Sequence, residues 1–262
     1  MLQKEGKQLR YFIEIAYKGT AYHGWQSQKN QKVKTVQGEI EAALSKILGQ
    51  TTAIVGSGRT DTGVHAMQQF AHFDHEGALD TALYQYKFNA VLPFDIVIKN
   101  LFKVGDETHA RFDATKRSYQ YHIHLERSPF LQELSYFHKE KLDIAAMNQA
   151  ADFLLGRQDF QCFSKVKTDV NNYFCDIYMA EWEYDSKTGK LVFHISANRF
   201  LRNMVRAVVG TLLEVGRGKM PAEGVKEVIQ SKNRSVAGRS VPADGLYLSE
   251  VLYPFMEGAS NK

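Results

Sequence analysis

The chain has 262 residues, with 33 Lys and Arg against 29 Asp and Glu, a net charge of +4, and 44% of its residues are apolar. That composition supports a buried core under a mixed-charge surface, which excludes disordered, coiled-coil and collagen-like classes, and the length allows one or two domains. The apolar run Ala207 to Leu213 falls far short of the roughly 18 residues of a membrane span. Lys4, Glu5, Lys7 and Arg10 at the start leave no room for an apolar signal segment, so a cytoplasmic location is expected. Cys162 and Cys175 lack CxxC spacing, which argues against a disulfide framework and against a cysteine-rich zinc site.

In chain order, Leu9 to Tyr17 alternates and predicts a strand. Val36, Ile40, Ala43, Leu44, Ile47 and Leu48 then recur at helical spacing, with Thr35 placed to cap the start and Gly49 to end the helix. Short strands are expected at Thr52 to Val55 and Gln68 to Phe73. Between them lies the Gly-rich stretch Gly56 to His65, whose three glycines permit a backbone path that other residues resist. A helix over Thr81 to Asn89 and a strand over Ile96 to Val104 complete the first half.

In the second half, Tyr119, Tyr121, Ile123 and Leu125 alternate with Ser118, Gln120, His122 and His124, a strand with one apolar face. A helix over Ile144 to Leu155 follows, then strands over Asp176 to Tyr184 and Lys190 to Ala197, turned by Lys187-Thr188-Gly189. A long helix is expected from Asn198 onward. Its apolar set, Phe200 to Leu213, leaves Arg199, Arg202 and Arg206 together on the other side. A short helix over Ala222 to Gln230 and a last strand over Leu246 to Tyr253 end the pattern, with frayed tails at Met1 to Gln8 and Glu257 to Lys262. The mixture predicts an α+β fold of two domains, 1–108 and 109–262. Each has a largely antiparallel sheet with helices on its faces, and the domains pack side by side around a cleft that is the default site.

Positive charge is concentrated. Between Arg199 and Ser240 there are nine basic residues, with only Glu214, Glu223 and Glu227 as acids, so this segment is +6 and the rest of the chain −2. A polyanion patch and a solvated helix face both fit that pattern. The three arginines crowd one helical face in this reading, and either a phosphate backbone or an acidic side chain such as Asp61 relieves their repulsion. Asp61, in a Gly-flanked loop beside Arg59, fits a held carboxylate, although turn hydrogen bonding is the commoner role of a loop aspartate. Tyr119 and Tyr121 fit either a core or a stacking platform. His122 and His124 lack Cys or carboxylate partners at ligand spacing and read as surface histidines, not as a metal site.

Nearly the whole chain is similar to tRNA pseudouridine synthases of the TruA type. Tyr17-Lys18-Gly19-Thr20, Gly24-Trp25-Gln26 and Thr35-Val36-Gln37-Gly38 resemble the family's opening, and Gly58-Arg59-Thr60-Asp61-Thr62-Gly63-Val64-His65-Ala66 resembles its catalytic loop. Ala110-Arg111-Phe112 with Arg117 to Tyr121, Phe200-Leu201 with Met204-Val205-Arg206, and Ala237-Gly238-Arg239 with Pro242 to Leu248 resemble the later motifs. Thr62, Lys18 and Val241 depart from the residues usual in the family. The resemblance implies two domains across a cleft, a homodimer, no cofactor and no metal, and isomerisation of uridines 38–40 in the anticodon stem-loop of tRNA. It places the essential aspartate on Asp61, its arginine partner on Arg206 and the active-site tyrosine on Tyr119. Arg59, Arg202 and Arg239 become RNA contacts.

Two rivals differ in class. A zinc deaminase needs H-x-E and P-C-x-x-C elements that the chain lacks. A non-catalytic RNA-binding module accommodates the charge and the aromatic strands, but the RNP1 pattern is missing and such a module gives Asp61 no task.

Overall fold

The computed structural model describes residues 8–27, 33–165 and 172–257. Most of both expected frayed tails, 1–7 and 258–262, lies outside them. The elements in chain order are β1 (Gln8–Tyr17), α1 (Val36–Leu48), β2 (Val55–Gly56), β3 (His65–Glu76), α2 (Thr81–Asn89), β4 (Ile96–Lys103), β5 (Lys116–His124), β6 (Tyr136–Phe137), α3 (Ile144–Asp152), β7 (Gly156–Asp159), β8 (Phe174–Asp185), β9 (Lys190–Ala197), α4 (Met204–Gly216), α5 (Gly224–Ser231), β10 (Leu246–Leu252) and α6 (Pro254–Glu257). They form two compact units. One comprises Met1–Thr115 with Leu248–Lys262, the other Lys116–Tyr247, and the chain passes from the second to the first within β10.

In the first unit the strand order is β4-β1-β3-β10, with β2 paired to β3, and β1 runs antiparallel to both β3 and β4. β1 is buried on both faces at its centre. Tyr11 stacks on Phe73 at 5.7 Å on one face, and Phe12 on the other meets Tyr253 edge-on at 5.5 Å. The Tyr253 hydroxyl donates to Ala110 O at 2.6 Å, which ties the C-terminal segment into this core. α1 begins and ends at the residues its sequence provides: Thr35 Oγ1 accepts from Gly38 N, and Gly49 adopts φ 71° past the last turn.

The same core buries His72, whose Nδ1 accepts from Ala110 N at 3.1 Å. Burial pushes its imidazole down to about 4, helped by Arg10 and His109 and opposed by Asp74 and Asp113. His72 is thus neutral when folded and protonates more readily when unfolded. Stability is complete above the unfolded value near 6.5 and falls as pH drops toward 4. Urea unfolding should show His72 costing about 2 kcal/mol between pH 7.5 and 5.0. His72→Asn, which keeps an acceptor for Ala110 N, should reduce that loss.

In the second unit the order is β5-β9-β8-β7, all neighbours antiparallel, and β6 adds to β5 in parallel. α3 packs on β8 and on α4. The α+β class and the antiparallel pairing expected from the sequence are what the structure shows.

Two expectations are corrected here. The helix expected from Asn198 starts at Met204, because Asn203 takes the left-handed conformation (φ 66°) and its amide donates to Ser240 Oγ at 2.6 Å. Arg199 lies in the irregular segment after β9 and Arg202 in a turn, so neither shares a helical face with Arg206. His124 is 6% exposed and not a surface residue, and burial lowers its pKa against the opposing charge of Asp244.

Candidate active site

In the first unit the Gly-rich stretch is a fixed loop, held from both sides. Ser57 N donates to Phe70 O at 2.7 Å, Ser57 Oγ to Gln69 Oε1 at 2.8 Å, and Gln69 Nε2 back to Gly58 O at 3.0 Å. Ser57 and Gln69 are buried at 2% and 0% exposure, so each satisfies a polar group that would otherwise be stranded. Thr60 is gripped twice: its hydroxyl shares a 2.7 Å hydrogen bond with the Tyr17 hydroxyl, and its carbonyl accepts from Trp25 N at 3.1 Å. Val64 N then donates to Asp61 O at 3.2 Å, closing a turn whose third residue, Gly63, has φ 80°.

The opening motif explains how that grip is anchored. Gly24 O and Trp25 O accept from Val36 N and Gln37 N, the first N–H groups of α1, at 3.2 and 2.9 Å. The segment that holds Thr60 is therefore pinned to the start of a helix. Trp25 packs so closely on Gly56 that a Cβ there would lie 2.5 Å from the indole Nε1. On this scaffold the Asp61 side chain is half-buried and Arg59 is exposed.

In the second unit Tyr119 lies on β5 opposite Ile195, half-buried, and its ring meets Phe200 edge-on at 5.1 Å. Tyr121, two residues on, is 0% exposed and donates to Pro242 O at 2.9 Å. The two tyrosines thus part company: Tyr121 belongs to the core and only Tyr119 keeps an accessible ring. Arg206 stands in the first turn of α4, where its Nε donates to Val241 O at 2.7 Å and its carbonyl accepts from Val241 N at 3.1 Å. That bond orients the guanidinium and leaves both Nη groups without a partner among the described residues. Arg202 and Arg239 are exposed. Arg206 and Arg239 line one cavity of about 550 Å³, and Arg202 does not.

A family profile described as tRNA pseudouridine synthase matches residues 14–113 and 150–254. The chain belongs to this family. It is 48% identical over 246 residues, 94% of this chain and 91% of the relative, to the tRNA pseudouridine synthase A of Bacteroides thetaiotaomicron. The protein of the same name from Parabacteroides distasonis is 47% identical over 246 residues, 94% and 96% of the two chains. That from Anoxybacillus flavithermus is 43% identical over 241 residues, 91% and 96%.

The synthase is an isomerase that acts on tRNA. Sequence reasoning alone singled out its Asp61 loop but not the part that Tyr17, Trp25, Ser57 and Gln69 play in holding it. Tyr247, inside the closing motif, stacks on His122 at 4.5 Å and donates to Leu134 O at 2.6 Å, with burial pushing its phenol up to about 12. Among the described residues no group of three His, Cys, Asp or Glu side chains is arranged to hold a metal, and no helix is long and apolar enough to cross a membrane.

Proposed function

We propose that the synthase converts uridines 38–40 of the tRNA anticodon stem-loop to pseudouridine, with Asp61 as nucleophile. The observation that carries this reading is the loop around Asp61: a half-buried carboxylate whose backbone is fixed on both sides, which is what a reacting group needs and a turn aspartate does not. In the reaction the N1–C1′ bond breaks, the uracil turns, and C5 bonds to C1′. The proton leaves C5 and N1 regains one, so the product is an isomer. Three routes use ionised Asp61: attack on the ring, attack on C1′, or removal of the 2′ proton to give a glycal. A primary isotope effect from 2′-deuterated uridine belongs to the last alone.

A target paired in a stem has to leave the helix, at a cost of a few kcal/mol that stacking and phosphate contacts offset. Tyr119, with its ring accessible on β5, is assigned to stack on the flipped uracil. Arg206, whose Nη groups are unspent, is assigned to keep Asp61 ionised and oriented. Arg59, Arg202 and Arg239 are exposed and are assigned to RNA. In this reading the enzyme works in the cytoplasm as a homodimer without a cofactor.

The test is release of tritium from tRNA transcripts labelled at uracil C5, with EDTA present, followed by mapping of the modified positions. Release confined to transcripts with uridine at 38–40 supports the reading, and release from other positions overturns it. Because nine basic residues lie between Arg199 and Ser240, tRNA affinity should fall with salt at a log–log slope of about −3 or steeper. A flat salt profile in filter binding removes the RNA role of these arginines.

A further inference from the structure

We propose that His65 is a positioning residue for the isomerisation: its imidazole pins the turn at Gly19 against the outgoing limb of the Asp61 loop and so aims the carboxylate. The inference rests on the reading of Asp61 as the reacting group. The grip on Thr60 holds the loop on its incoming side, and His65 supplies the hold on the other.

The need for it begins in the sheet. β1 and β3 pair as far as Tyr17 opposite Ala66, and beyond that pair β1 ends. Lys18 N turns to Asp95 O at 2.9 Å, and Gly19–Ala21 forms a single 3₁₀ turn closed by Tyr22 N on Gly19 O at 3.0 Å. The first N–H of such a turn has no partner within it. Lys18, at the capping position, makes no side-chain capping bond, and Gly19 is buried, so its N–H needs an acceptor from elsewhere. His65 Nδ1 meets it at 3.0 Å, from a residue that is 1% exposed. A backbone N–H only donates, so Nδ1 has to accept and the ring hydrogen is on Nε2.

What this bond holds in place adjoins Asp61. Gly19 sits so close to the loop that a Cβ on it would lie 1.9 Å from Val64 O and 2.6 Å from Val64 C. Val64 N in turn donates to Asp61 O at 3.2 Å, and Gly63 N donates to Tyr22 O at 3.4 Å. Tyr22 is itself tethered, since its hydroxyl donates to Asp95 Oδ1 at 2.5 Å. Three consecutive residues of the outgoing limb thus meet one short turn: Gly63 through Tyr22 O, Val64 through the bare Cα of Gly19, and His65 through Gly19 N. An apolar side chain of similar bulk fills the space of the imidazole but leaves Gly19 N without its acceptor. The turn then moves to find one, and Val64 and the Asp61 carbonyl move with it.

Three variants read this bond in single-turnover tritium release at saturating enzyme, well below the melting temperature, with the active fraction counted by tRNA-binding stoichiometry. His65→Leu keeps bulk and strips the acceptor, and should slow release about thirtyfold while the Kd for tRNA stays within about twofold of wild type. His65→Asn places Oδ1 close to where Nδ1 stands, and should restore the rate to within about fivefold of wild type. His65→Gln carries its polar end out toward the Nε2 position and should stay as slow as His65→Leu. Where His65→Leu fails to fold, the comparison of Asn with Gln decides.

A role in stability alone lowers the urea midpoint and the active fraction but leaves the rate per bound tRNA unchanged, and that result overturns the inference. Recovery by His65→Gln and not by His65→Asn overturns it too, because the bond to Gly19 is then not the one that counts. Asp61→Glu supplies the last arm. With the carboxylate already displaced, adding His65→Leu should cost less than about fivefold, whereas a further loss of about thirtyfold means that His65 does not act through Asp61. Wild-type turnover by Asp61→Asn ends the nucleophile reading and this inference with it. An inactive Asp61→Asn beside an unslowed His65→Leu ends the inference alone.

Discussion

Asp61→Asn should reduce tritium release at least about a thousandfold, corresponding to about 4 kcal/mol of transition-state stabilisation, while tRNA affinity stays within a few-fold. The substitution is nearly isosteric. The bond that closes the turn uses the Asp61 carbonyl, received from Val64 N, and the grip on the loop falls on Thr60, so an amide side chain leaves both in place. What is lost is the negative charge and, in the proposed reading, the nucleophilic oxygen, and all three proposed routes need an ionised carboxylate. Asp61→Glu keeps the charge but moves it by a methylene from a fixed backbone, and should still cost about a hundredfold because a displacement near 1 Å is enough to do so. Turnover by Asp61→Asn within tenfold of wild type ends the nucleophile assignment. A wild-type enzyme that binds tRNA but releases nothing from any anticodon-arm substrate returns the RNA-binding module.

Which parts of this site could be read from the sequence follows from how local their causes are. Helix α1 was legible to the residue because Thr35 and Gly49 act on their own neighbours, one as an acceptor for Gly38 N and the other by adopting φ 71°. The Asp61 loop was legible as a loop because glycines mark it. The start of α4 was not. The apolar spacing of Phe200 and Leu201 continues the helical pattern backward, and what stops it is the left-handed backbone of Asn203 together with a hydrogen bond to Ser240, 37 residues away. His124 was misplaced for a related reason. Alternation on β5 assigns it to a polar face, but alternation does not say whether that face is covered. Tyr17 and Trp25 stand in the opening motif, but their grip on Thr60 is not legible there, since only the fold brings them to the loop.

Gly24→Ala should damage fold and activity together, lowering stability by about 3 kcal/mol and tritium release at least about a hundredfold. Two penalties coincide at this position. Gly24 sits at φ 87°, which a side chain resists, and a Cβ there would lie 2.6 Å from Thr60 O and 3.2 Å from Asp61 C. Relief requires the Thr60 carbonyl to move, which breaks its bond from Trp25 N and shifts Asp61 with it. Gly49→Ala separates the two penalties, for Gly49 has φ 71° with nothing within 4 Å of a Cβ. It should cost about 1 kcal/mol from backbone strain alone and leave kcat untouched. Gly58→Ala, with open space and no positive φ, should be near neutral in urea unfolding. The ordering of the three variants in stability, set against activity lost only at Gly24, distinguishes a loop whose geometry is held for catalysis from one that merely folds. Equal activity in Gly24→Ala and Gly49→Ala would mean that Asp61 tolerates displacement and that the grip on Thr60 serves stability alone.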